Sequence, residues 1–315
     1  MGAYILRRIA ALVPLLLIVS FIVFSLSQLL PGDPARVLAG GQKATPAGIA
    51  RARKELHFDK SFPEQYAIWL GNAARGDLGT SFFDHETVAS SIAQRFPVTL
   101  SLALGALVLT VVIGVPLGIL AAVKQGSLAD RLVTTTSSIA LAMPDFWLGL
   151  ILLSIFAVSL KVLPSRGYVG FADSPAGWAT HLYLPWIAMG VPGGAGLARQ
   201  VRGAMIDALE QDYVRTAESK GLRRRVVIFK HALKNASLAP VTVLGIGFAY
   251  MLGGSVIIEQ IFTLNGLGRY FYLALFNKDL PVIQGVVLLS ALIFVVLNLV
   301  VDVLYAYLNP KVRLG

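Results

Sequence analysis

Side chains able to do chemistry are few in this chain, and they are dispersed. The four histidines, His57, His85, His181 and His231, are scattered. Asp84-His85-Glu86 is the nearest approach to a ligand cluster, and it reads as a solvated loop. Cysteine is absent, which removes disulfides, thiol nucleophiles and cysteine metal sites. No G-x-x-x-x-G-K-[ST] phosphate loop, G-x-S-x-G turn or H-E-x-x-H pair occurs. No residue is therefore a candidate for catalysis, cofactor binding or metal ligation. If the protein moves solute uphill, the energy comes from a gradient or from another polypeptide. Two carboxylates fall inside apolar runs: Asp145, directly after Pro144, and Asp302. A carboxylate in lipid is costly, so each must face a bundle interior or water. Asp145 is either a residue of a solute path or a packing partner for a Thr, Tyr or Arg; Asp302 reads as structural. Glu259 closes another apolar run, as part of an outer gate or as a solvated helix-end carboxylate.

The elements that must position these groups are set by composition. The chain has 315 residues, 56% hydrophobic and 14% charged, against about 25% charged in a soluble domain. The mean hydropathy is +0.71, so the bilayer is the expected solvent. The net charge of +10 does not indicate nucleic acid, because the basic residues sit in short connectors and form no basic face. A membrane helix needs roughly 20 mostly apolar residues. Six runs qualify: Ile9 to Leu30, Val98 to Val123, Leu132 to Leu160, Leu182 to Ala198, Leu238 to Ile261 and Val282 to Leu304. The third is long enough to tilt, and the fourth is interrupted by Pro185 and Pro192. Gly245, Gly247, Gly253 and Gly254 in the fifth would let backbones approach closely. The first run is too long for a signal peptide and reads as an uncleaved helix.

With both termini inside, the cytoplasmic segments hold 15 Lys/Arg and five Asp/Glu, including Arg7, Arg8, Lys311 and Arg313. That asymmetry predicts six helices with both ends cytoplasmic. Residues 31–96 then form an outer loop, with short helices over Pro46 to Leu56 and Pro63 to Ala73. Phe62, Tyr66 and Trp69 recur there at helical spacing. The loop caps the bundle, and it either only covers it or shields a solute entrance.

Residues 207–240 are a basic connector, with nine Lys/Arg and four Asp/Glu from Arg199 to Lys234. Asp212 is placed to cap a helix. Tyr213, Ala217 and Gly221 follow at four-residue spacing, a Tyr anchor beside two small residues that can enter a groove. Arg223, Arg224 and Arg225 suit an acidic rim or lipid headgroups. An interfacial amphipathic helix is the other reading of the same residues.

This connector resembles the EAA loop of ABC-importer permeases. Arg215-Thr216-Ala217 occupies the Glu-Ala-Ala position and Gly221 is the signature glycine; Ser237-Leu238-Ala239-Pro240 stands for the later Ile-x-Leu-Pro. The chain is most similar to the dipeptide/oligopeptide/nickel group, in the member with the long first outer loop. The similarity runs through Leu29 to Ala35 (LLPGDPA), Gly76 to Ser81 (GDLGTS), Phe146 to Leu150 (FWLGL), Asp212 to Leu222, His231 to Ala236 (HALKNA), Gly266 to Arg269 (GLGR), Pro281 to Gln284 (PVIQ) and Asn298 to Pro310.

The resemblance implies an all-α fold, a six-transmembrane-helix permease bundle with both termini cytoplasmic and a small, mostly helical outer loop domain. It divides the chain into 1–30, 31–96 and 97–315, with a coupling segment at 207–234. It implies half of a translocation path for di- or oligopeptides in the bacterial cytoplasmic (inner) membrane. Nickel, glutathione or another small solute is the alternative cargo, and a gradient-driven secondary transporter is the alternative class. The implied partners are a second homologous permease, two ATPase subunits, an external solute-binding protein and the lipid bilayer. ATP and Mg are expected on the ATPase subunits and no cofactor in this chain. Asp212, Tyr213, Arg215, Ala217, Gly221 and Leu222 are the expected coupling residues; Asp145 and Glu259 are candidates for the path or a gate.

Overall fold

A computed structural model describes residues 2–29 and 33–308, with side chains described for 12–25, 33–253, 255–301 and 303. The side chains of Arg7, Arg8 and Asp302, and all of Lys311 and Arg313, lie outside the described residues, as do Leu30 to Gly32 of the LLPGDPA motif and Gly254 as a packing position. The described chain is almost wholly helical, with no strand and one antiparallel bridge between Thr80 and Thr87. It divides into two compact units, one of Gly2–Thr99 with Asn265–Val295, the other chiefly of Leu100–Leu264 with the end of the chain.

The first unit begins with α1 (Gly2–Leu29), α2 (Pro34–Leu38), α3 (Pro46–Glu55), α4 (Phe62–Ala74) and the start of α5 (Val88–Val123). The short helices fall within a residue or so of the expected positions because their caps are written in the sequence. Thr45 accepts from Gly48 N at 3.1 Å ahead of Pro46, and Ser61 with Glu64 forms a reciprocal cap ahead of Pro63. Asp33 caps α2 and accepts from Arg53 of α3 at 3.0 Å. The aromatic stripe of α4 lies on α1: Tyr66 meets Phe21 edge-on at 5.3 Å and Trp69 meets Phe24 at 5.5 Å. Such pairs each add about 0.5–1.5 kcal/mol beyond area burial. Ser20 and Tyr66 share a hydrogen bond at 2.8 Å.

The second unit holds the rest of α5, then α6 (Leu128–Ala142), α7 (Asp145–Leu152), α8 (Pro175–Leu209), α9 (Asp212–Ser219), α10 (Arg224–Ala236), α11 (Leu238–Gly254) and α12 (Val256–Ile261). The expected third span is not one tilted helix. It bends by 93° between Leu128–Ala142 and Asp145–Ser159. Pro144 disfavours the helical region for Met143, which is extended at φ −85° and ψ 123°. The fifth run also breaks, at Ser255, between α11 and α12, and α11 meets α10 at 58°. The fourth run, expected to be interrupted, continues through Pro185 and Pro192 as the 35-residue α8.

Close backbone approach also falls elsewhere than expected. Gly245 lies against Val301, but Gly247 and Gly253 face open space. The tight seam runs between α5 and α8. A methyl on Gly114 would stand 2.7 Å from Leu197 Cβ, one on Gly118 2.6 Å from Val201 Cβ, and one on Gly190 2.9 Å from Leu109 Cβ. Gly114→Ala is therefore expected to destabilise the detergent-solubilised chain by about 1–3 kcal/mol. Gly71→Ala on α4, where the methyl meets nothing, should stay within about 0.5 kcal/mol. Equal melting temperatures for the two variants would refute the seam.

The first unit is completed by α13 (Leu267–Asn277) and the start of α14 (Leu280–Leu308). Leu267 N donates to Thr99 Oγ1 at 2.8 Å. Val88, Ile92, Leu267, Tyr270, Ala274, Ile283 and Val286 form its core. Asp279 pins the loop to this core, accepting from Ser81 Oγ at 2.6 Å and Phe82 N at 3.2 Å.

Candidate coupling surface

The connector folds as a short helix on an anchored base. α8 ends at Leu209, and α9 starts after two residues with Gln211 at the cap position. Asp212 is the first helical residue rather than the cap, and its exposed carboxylate lies 3.6 Å from Arg215, where the helix N-terminus favours it. Val214 and Ala217 turn inward and pack with Val227 of α10 and Leu209 of α8. Tyr213 is 38% exposed and Ala217 6%. The two therefore do not share an outer face. Val227 supplies an apolar partner that draws positions 214 and 217 in and leaves Tyr213 and Thr216 out.

Gly221 ends the helix. Its φ is +74°, the left-handed region that glycine enters without Cβ strain. Leu222 N then reaches Ala217 O at 3.3 Å and Gly221 N reaches Glu218 O at 2.9 Å. These bonds satisfy carbonyls that a helix end leaves free. Nothing lies within 4 Å of a methyl built on Gly221. Leu222 follows at 41% exposure. The outer surface of the connector is thus Tyr213, Arg215, Thr216, Gly221 and Leu222, with exposed Arg223, Arg224 and Arg225 beyond it. An exposed Tyr and Leu around a glycine, ringed by guanidinium groups, suit a groove with an acidic rim.

The other two candidates lie elsewhere in the unit. Asp145 opens α7 after the break at Pro144. It is half-buried and makes no side-chain hydrogen bond or ion pair among the described residues. It stands at a helix start, at the bend between α6 and α7. Glu259 is fully buried in α12, where Ser255 Oγ donates to its Oε1 at 2.9 Å; this is not a solvated helix end.

One constellation escaped the sequence reading. Arg202 of α8 grips Asp130 of α6 with both arms, Nε to Oδ1 at 2.6 Å and Nη2 to Oδ2 at 2.8 Å. Gly126 N adds a bond to Oδ2 at 2.9 Å. The pair fastens the turn between α5 and α6 to α8. The S-x-x-D spacing from Ser127 to Asp130 gave a hint of the cap, but nothing in the sequence gave the partner 72 residues away.

Residues 1–103 match the family described as binding-protein-dependent transport system membrane component, N-terminal, and residues 114–314 match the binding-protein-dependent transport system inner membrane component. The chain belongs to this permease family. The permease is 42% identical over 313 residues to a putative peptide transport system permease protein of Brucella abortus (strain 2308), covering 99% of each chain. It is 41% identical over 310 residues to the glutathione transport system permease protein of Pectobacterium atrosepticum, covering 98% of each. Among solved structures it resembles the MetNI methionine ABC transporter in an inward-facing conformation, with a TM-score of 0.57 and 18% identity over 69% of this chain and 96% of that one; this likeness concerns the fold.

The family resemblance read from the motifs is therefore correct. The permease is the translocation component of an ABC importer, not an enzyme, and is a multi-pass protein of the bacterial inner membrane. Permeases of this kind work with an ATPase and a substrate-binding protein.

Proposed function

We propose that the permease imports small peptides and that α9 is the helix through which an ATPase drives it. The observation that carries the reading is the build of α9. One face is anchored in the chain by Val214, Ala217 and Val227, and the other presents Tyr213 and Leu222. A push on such a helix passes into α8 and α10 instead of being lost in a loop. We count six spans, α1, α5, α8, α14 and the two bent pairs, with both termini in the cytoplasm; among the described residues α5, α14 and the two bent pairs are long and apolar enough to cross a membrane. A second homologous permease completes the bundle. Two ATPase subunits, holding ATP and Mg, dock beneath it, and a solute-binding protein delivers cargo at the outer face, where residues 31–96 form a loop domain. Transport is a shift between inward- and outward-facing populations, set by the partners' different affinities for each. Asp145 is assigned to the solute path and Glu259, buried beside the break at Ser255, to a gate.

Peptide cargo is supported by the names of the Brucella relatives, and glutathione, itself a peptide, by the Pectobacterium one. Competition of labelled dipeptide uptake by glutathione separates them. Tyr213→Ala with Leu222→Ser should lower ATP-driven uptake in proteoliposomes about tenfold, the scale of an interface anchor. Thermal stability of the isolated chain should move by no more than about 0.5 kcal/mol, because both side chains are at the surface. Undiminished uptake in this variant, or uptake by the permease alone without ATP, would overturn the reading.

A further inference from the structure

The unit formed by Gly2–Thr99 and Asn265–Val295 contains a pocket of about 190 Å³ that the import reading does not use. Its walls include Phe24, Phe58, Trp69 and Phe82. The formal charges on the walls are Glu55 and Asp77; no Lys or Arg lines the pocket, and His57 is the one imidazole. This acid-only lining runs against a chain of 27 basic and 17 acidic residues. Glu55 makes no ion pair among the described residues. Asp77 uses Oδ1 to accept from Gly79 N at 2.9 Å, which leaves Oδ2. On the same wall Gln65, 9% exposed, donates through Nε2 to Lys60 O, while its Oε1 is buried and has no partner. That oxygen has almost no accessible surface, so the charged face of the pocket is the two carboxylates beside the aromatic rings.

We propose that this pocket binds a small organic cation, an ammonium group carried on an apolar body. Aromatic faces attract cations through the ring quadrupole, and carboxylates make strong, charge-assisted hydrogen bonds with ammonium N–H groups. Trp69 and Phe24, tilted at 42° with centroids 5.5 Å apart, form one wall for the apolar body. A cavity of this volume takes a body of about benzene size, so the site takes a free amine or the amino-terminal end of a peptide and not a whole oligopeptide. The pocket shares no residue with the α9 surface, Asp145 or Glu259.

The test uses the full chain with its second permease and ATPase subunits, without the solute-binding protein, in lipid nanodiscs, titrated with 2-phenylethylamine and with the dipeptide Phe-Ala. The N-acetyl form of each is the control, and calorimetry is the readout. We expect saturable binding that acetylation weakens at least about tenfold. Glu55→Gln should weaken it about fivefold or more; Glu55 is exposed, so this variant keeps its fold. Trp69→Leu should weaken it as well. Binding of both probes assigns the site to ammonium groups in general, and binding of Phe-Ala alone assigns it to peptide amino termini. Absence of saturable binding, equal binding of the acetylated forms, or binding unchanged by Glu55→Gln would overturn the proposal. Because the readout is binding, its failure leaves peptide import untouched.

Discussion

Replacing Gly221 with valine is expected to uncouple the importer, with ATP-driven uptake falling to a tenth or less while the chain still folds and inserts. Gly221 sits at φ +74°, where an L-residue costs about 1–2 kcal/mol and a β-branched one lies at the upper end. The residue is exposed and a side chain there meets nothing, so the penalty is conformational and local. α9 has only eight residues, and an isolated helix of that length is not stable in water. It relies on the packing of Val214 and Ala217 and on the two bonds that Gly221 makes possible. Relaxing residue 221 to negative φ removes those bonds and redirects Leu222. Gly221→Asn is the control, because asparagine tolerates the left-handed region; it should retain most of the uptake. Substrate-stimulated ATPase activity and uptake in proteoliposomes measure both variants. Wild-type uptake by the valine variant would sink the coupling role of α9.

The second large effect is expected at Asp130 and Arg202. Asp130 is 4% exposed, and removing either partner of a buried ion pair strands the other charge, at a cost of about 3–5 kcal/mol. Asp130→Asn and Arg202→Met should each lower the thermal stability of the solubilised chain by an amount of that order. The double variant should recover much of the loss, since no charge is then left unpaired. Because Arg202 is partly exposed, with its side chain at 30%, stranding it is the cheaper case, so Asp130→Asn should lie at the lower end and Arg202→Met, which strands the buried carboxylate, at the upper. Additive losses in the double variant would show that the two residues act separately.

How far the sequence could be read depended on distance along the chain. The helices of residues 31–96 and their aromatic stripe were legible because caps, prolines and a period of three to four residues are local signals. The break at Pro144, before Asp145, was also local, but hydropathy averages over a window and cannot register a backbone that turns, so Leu132 to Leu160 read as one run long enough to tilt. Pro185 and Pro192 carry the same residue type, yet there α8 runs on. What separates the cases is the packing around each proline. Ala217 was assigned to the outer face because spacing alone does not say which side of an amphipathic helix is inward. That is decided by Val227, ten residues on. The bidentate grip of Arg202 on Asp130 and the position of Glu259 were illegible for the same reason, since both depend on elements brought together only by the fold.

The glycine seam between α5 and α8 has a mechanical consequence. Two helices whose backbones nearly touch, with Leu197 and Val201 seated over Gly114 and Gly118, cannot slide past one another by a fraction of a turn without a clash. They behave as one stiff beam. Bending in this unit must therefore concentrate where the helical ladder is already interrupted, at Met143–Pro144 and at Ser255. A crosslink across the seam should leave the transport cycle running, and one that splints either joint should stop it.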